Sequence, residues 1–185
     1  TAQVAALDGA QVGAIGTAEV ASLTTAQLAA VAGGVGTLTT AQIAALSQAQ
    51  VEGLNSAQIT ALDTGDFGAL NSRQISAIAT TAIAALDSDD FRAMSTAQIT
   101  GLTAAQLVAV GSADFAGWDT DDLAALTAVQ MRSLSTTMLD ALDTTHIAAF
   151  TGTQIAALNT AQLAVLNLGG VGIIAGNQIS GLSTA

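Results

Sequence analysis

The chain contains no cysteine, no proline, no tyrosine and no lysine. Each absence removes a class of explanation. Without cysteine there is no disulfide framework and no thiolate metal site. Without lysine, and with only Arg73, Arg92 and Arg132 set against fourteen acids, the net charge is −11. Nucleic-acid binding needs cations to displace phosphate counterions, so that class of partner is excluded. An anionic membrane surface is disfavoured for the same reason. Aromatic residues amount to 3%. Long apolar runs are missing too. The greasiest stretch, "LAVLNLGGVGIIAG" at 163–176, is shorter than the roughly 18 residues of a membrane span and is broken by glycine. No membrane insertion is expected. The 51% of hydrophobic residues, mostly alanine, must therefore be buried within the protein.

What is present is repetition, and repetition decides the fold. "TTAQIAAL", "STAQITGL", "TAAQLVAV" and "NTAQLAVL" are variants of one octad. With positions lettered a to h, the last position holds a large apolar residue: Leu46, Leu54, Leu62, Leu70, Ile78, Leu86, Met94, Leu102, and so on through Trp118 and Phe150. The spacing is eight except for one seven-residue step into Leu38. Position e holds a second apolar residue, such as Ile43, Ile59, Phe67, Ile75, Phe91 and Ile99. Position d is usually glutamine and elsewhere often an acid; position a is mostly Ser, Thr, Asn or Asp.

One continuous helix does not fit, because eight residues rotate a helix by about 800° and the apolar stripe would drift by about 80° per octad. A plain strand does not fit either, since e and h are three apart and would face opposite sides. A short helix per octad does fit. In the unit after Met94, Ser95 is an N-cap and Gln98 follows three residues later, the spacing of a capping box. Met94 and Ile99 flank the cap as a hydrophobic staple. The same pattern recurs at Leu54/Asn55/Gln58/Ile59 and Leu158/Asn159/Gln162/Leu163. Helices of about six residues follow, roughly one and a half turns. Burial of two apolar side chains contributes about 3–6 kcal/mol, against about 8–16 kcal/mol to order eight residues, so the units must stack. The expected fold is an all-α solenoid over residues 1–185, one continuous array, with a β-solenoid as its rival. The array starts and stops inside a repeat, as expected of a segment cut from a longer one.

The number of octads per solenoid turn is open between two and three. "DF" at 66–67, 90–91 and 114–115 recurs at every third octad, which would suit three. Two units, 32–38 and 167–174, carry "GGVG", lack the capping glutamine and would mark kinks or subunit junctions.

The inventory for chemistry is thin. His146, the single histidine, occupies position d and reads as a substitute for the capping glutamine. The clusters Asp87/Asp89/Asp90 and Asp119/Asp121/Asp122 fall in the first turn of their helices, where the helix dipole and capping favour acids. Calcium at these clusters is the alternative, although the glycine and bidentate glutamate of an EF-hand loop are lacking. No catalytic, cofactor-binding or metal residue is assigned, no cofactor is expected, and the chain reads as no enzyme.

Tracts such as "TTAQIAALSQAQVEGLNSAQITAL" resemble the short Ala/Thr/Gln-rich repeat regions of very large bacterial surface and secreted proteins, of the adhesin and haemagglutinin-like type. The resemblance implies an extracellular or cell-surface stalk, spacer or self-associating layer. The leading expectation is a structural rod or filament whose partner is another copy of itself. The alternative is a partner-binding repeat module, with or without calcium.

Overall fold

In the computed structural model, residues 6–31 and 34–168 and Gln178 are described. Among them there is no strand, and each octad from 8–15 onward makes one short helix, apart from the seven-residue unit. The helices are α1 (Gly9–Gly13), α2 (Thr17–Ser22), α3 (Thr25–Ala29), α4 (Thr40–Ala44), α5 (Gln48–Glu52), α6 (Ser56–Ile59) and α7 (Thr64–Ala69). They continue as α8 (Ser72–Ala77), α9 (Thr80–Ile83), α10 (Ser88–Arg92), α11 (Thr96–Gly101), α12 (Ala104–Ala109) and α13 (Ser112–Phe115). The last six are α14 (Thr120–Ala125), α15 (Ala128–Ser133), α16 (Thr136–Asp140), α17 (Thr144–Ala149), α18 (Gly152–Ala157) and α19 (Thr160–Leu168). The array is an all-α repeat solenoid. The β-solenoid alternative falls, because glutamine and a short polar residue at helix-cap spacing satisfy the backbone locally within each octad.

The capping chemistry forms as the sequence demands. Thr39 Oγ1 accepts from the Gln42 backbone N–H at 3.3 Å, and Gln42 Oε1 accepts from the Thr39 N–H at 2.7 Å. The same reciprocal pair closes at Asn71/Gln74, Thr103/Gln106, Thr127/Gln130 and Thr151/Gln154. Most helices then end at the h residue, whose N–H donates to the carbonyl of residue e, as from Leu46 to Ile43 at 3.1 Å. Many h residues are extended, like the N-cap that follows; Ile78 has φ −62° and ψ 132°. Two extended residues turn the chain into the next helix without any left-handed conformation, so the corners need no glycine. Among the described residues only Gly34 has positive φ, at 76°. It precedes a 3-10 turn, Val35–Thr37, which stands where the seven-residue unit has lost its helix. The second "GGVG", at 169–172, lies outside the described residues.

The chain divides into two compact units, Thr1–Gly101 and Leu102–Ala185. Within each, a helix stacks on the helix three octads further along. In the first unit α4 packs on α7, α5 on α8, α6 on α9 and α8 on α11. In the second, α12 packs on α15 and α15 on α18, α13 on α16 and α16 on α19, and α14 on α17. Three octads therefore make one coil, which settles the question that sequence left open. The e side chains fill the coil interior: Ile43, Ile75, Phe67, Leu107, Phe115 and Ile155 are fully buried. The h side chains line the corners and are nearly as buried. Phe67 and Phe91 lie in successive coils of the first unit, on the stacked pair α7 and α10. In the second unit Phe115 lies against Trp118, ring centroids 5.1 Å apart.

Small residues at position g let one coil settle on the next. A Cβ on Gly101 would stand 2.8 Å from both Cα and O of Ser72, and 2.7 Å from its Cβ. Backbone cannot give way as a side-chain tip can. Gly101→Ala is therefore expected to lower stability by about 1–3 kcal/mol, read from urea unfolding. At Gly53 the nearest atom is the Thr25 Cγ2 methyl, 2.8 Å away, which can rotate, so Gly53→Ala should cost less.

Candidate functional site

The repeated polar feature of the array is the glutamine at position d, and its role exceeds capping. Its Oε1 accepts from the N-cap N–H. In Gln42, Gln50, Gln74, Gln98, Gln130, Gln154, Gln162 and Gln178 the Nε2 turns inward and donates to the preceding coil. Gln74 Nε2 lies 2.7 Å from the Leu46 carbonyl and 3.5 Å from that of Ile43. Gln98 Nε2 reaches Leu70 at 2.7 Å and Phe67 at 2.9 Å. Gln154 reaches Leu126 and Leu123, both at 2.8 Å, and Gln162 reaches Leu134 at 2.8 Å and Met131 at 3.0 Å. Gln178 takes Phe150 at 2.6 Å and Ile147 at 2.9 Å. In each of these the acceptors are an h carbonyl at a separation of 28 and an e carbonyl at a separation of 31.

The exception explains itself. Gln42 binds Ile15 and Val12, and Gln50 binds Leu23 and Val20, at separations of 27 and 30. One residue is missing from the unit that lies between, 32–38, and the clamp keeps its geometry across the deletion. The h carbonyl ends a short helix at a buried corner, and an unpaired carbonyl there would cost about 1–3 kcal/mol. The glutamine amide supplies that partner. Gln42, Gln50, Gln74, Gln98, Gln106, Gln130, Gln154 and Gln162 are all nearly inaccessible to solvent.

His146 takes the place of the capping glutamine, as expected. Its Nδ1 accepts from the Asp143 N–H at 3.3 Å, and Asp143 Oδ1 accepts from the N–H groups of Thr145 and His146. The His146 backbone N–H donated to the Asp143 carboxylate holds that carboxyl below its usual range. The structure gives His146 the cap role that its position in the octad implies.

The acid clusters are likewise built into caps. Asp87 Oδ1 accepts from the N–H groups of Asp89 and Asp90, and Asp119 Oδ1 from those of Asp121 and Asp122. Among the described residues no group of three or more His, Asp or Glu side chains is placed to hold a metal ion. None of the described helices is long and apolar enough to cross a membrane.

Where aspartate replaces the clamp glutamine, a carboxyl moves toward a buried corner. Burial pushes the Asp122 carboxyl up to about 6, and the neighbouring Asp119 and Asp121 carboxylates add to the rise. Burial also raises Asp90, against the opposing backbone hydrogen bond at Asp87. A folded-state value above the ordinary 3.8 means that the native chain binds this proton more tightly than the unfolded chain. This contribution to stability grows as pH falls through about 6 and is complete below 3.8. Solvent still screens part of the site, which reduces the gain to about 1–2 kcal/mol. Melting at about pH 4.5 should therefore occur a few degrees above melting at about pH 7.5. Asp122→Asn should flatten that dependence.

The arrangement offers a fastening device repeated from coil to coil. No curated protein matches the chain. The ALTTAQ repeat profile matches at residues 35–64, 59–90, 83–117 and 115–152, and the chain belongs to the ALTTAQ repeat family.

Proposed function

We propose that this array is the rod-forming part of a bacterial surface or secreted protein of the adhesin type, supplying length and stiffness and associating with its own kind, without catalysis. The observation that supports this reading is the clamp. In both units, successive coils are joined by the same buried amide. Such a design resists bending at each clamped corner and scales with repeat number, because each coil contacts only its neighbours. The negative charge keeps an alanine-rich surface dispersed.

Negative-stain electron microscopy of the purified chain tests the proposal. Uniform filaments would identify a self-assembling polymer, and dispersed short rods a spacer inside a longer protein. Either result supports a structural role. Particles with no elongated form would overturn it.

A further inference from the structure

In the second unit the acids are distributed unevenly over the three helix stacks. The octads of α13, α16 and α19 carry Asp114 and Asp140, and those of α14 and α17 carry Asp119, Asp121, Asp122 and Asp143. The octads of α12, α15 and α18, residues 103–110, 127–134 and 151–158, carry no acid at all. Their outward c and f positions are Ala105, Val108, Val129, Arg132, Thr153 and Ala156, all exposed. Val108 and Val129, 57% and 62% accessible, are the two exposed large hydrophobic residues among those described, and both lie on this stack. Arg132 is the only arginine of the unit. Among the described residues Arg92 pairs with Asp89, and no carboxylate pairs with Arg132.

We infer that the α12–α15–α18 face is a self-association surface, and that its occupant is the same face of a second copy of this chain. Charge selects the occupant. Each copy carries −11, and contact through either of the other stacks sets carboxylates against carboxylates. Among the three described stacks of the unit, this face alone avoids that repulsion. Its valines supply apolar burial, and its alanines permit close approach. Arg132, which has no carboxylate partner among the described residues, gains the carboxylates of the stacks that flank the partner's face. The same patch serves both copies, so the pair closes with twofold symmetry.

Three helices of about 9 Å, stacked about 10 Å apart, present only about 300 Å². A standard interface uses about 800 Å² per partner, so one segment should pair weakly, and a longer array more tightly as coils are added. The inference rests on the self-associating part of the proposed function and names its surface.

Sedimentation equilibrium of the 185-residue chain from about 10 µM to about 1 mM should show a monomer–dimer equilibrium, given the small face. The V108E/V129E variant should remain monomeric over that range with an unchanged melting temperature. Thr145→Glu, on the α14–α17 stack, should dimerise like the parent. A parent chain that stays monomeric to about 1 mM overturns the inference, as does a V108E/V129E variant that pairs as strongly as the parent. Rods in micrographs without pairing in the centrifuge would remove this face and leave the rod function standing. Particles with no elongation would remove the rod function whatever the centrifuge shows.

Discussion

Gln98→Glu should destabilise the first unit by about 3–5 kcal/mol at neutral pH, although it changes a single NH2 to oxygen. Gln98 Oε1 accepts from the Ser95 N–H at 2.7 Å and from its hydroxyl at 2.9 Å, and glutamate preserves both bonds. What it removes is the donor to the carbonyls of Leu70, Phe67 and Gly68 at 2.7, 2.9 and 3.4 Å. A carboxylate oxygen then faces carbonyl oxygens inside a corner that solvent barely reaches. The variant escapes part of this cost by binding a proton, because the neutral acid donates one hydrogen bond. Its deficit should therefore shrink as pH falls from about 7.5 to about 5, a signature that simple loss of a cap lacks. Urea unfolding at the two pH values measures both the loss and its recovery.

The converse exchange is informative. Asp66 occupies position d, and the register places the Leu38 and Val35 carbonyls where the h and e acceptors of a clamp would stand. Asp66→Gln supplies an amide long enough to bridge and is expected to stabilise by about 1–2 kcal/mol in the same assay.

Phe67→Ala should cost about 3–5 kcal/mol, as large-to-small changes at fully buried aromatic sites do. Phe67 has no solvent exposure and lies inside the coil. The loss should also change the form of unfolding. Repeat arrays are held by neighbour contacts, so a weakened coil can separate from the rest. Amide hydrogen exchange should show the α7 and α10 octads opening first, while α14 to α18 retain their protection.

Much of this is legible in the octad itself. The capping pair at Ser95/Gln98 and the staple of Met94 with Ile99 are local, and local chemistry can be read from order alone. The core is legible for the same reason, since e and h are the large apolar positions. Coil size is less so. The recurrence of "DF" at every third octad points to three, but a spacing carries no contact. The inward half of the glutamine escapes a reading of the octad, because its acceptors lie four octads back, as Leu70 and Phe67 do for Gln98 at separations of 28 and 31. A signal existed. A capping box accepts glutamate as readily as glutamine. Position d nevertheless holds glutamine in most octads and glutamate only at Glu19, in a strongly acidic chain. That preference records the use of both ends of the amide. The acid-free stack is also invisible until coil size is known, because only a period of three octads gathers 103–110, 127–134 and 151–158 onto one side.

The measurement closest to the central claim, that buried glutamine amides fasten coils of three octads, is an isotope-edited nuclear Overhauser experiment on the Gln98 side-chain amide. The account predicts cross-peaks from its two Nε2 protons to protons of Phe67, Gly68 and Leu70, at separations of 31, 30 and 28. Cross-peaks confined to Ser95 and its immediate neighbours, or to residues about two octads away, would contradict it.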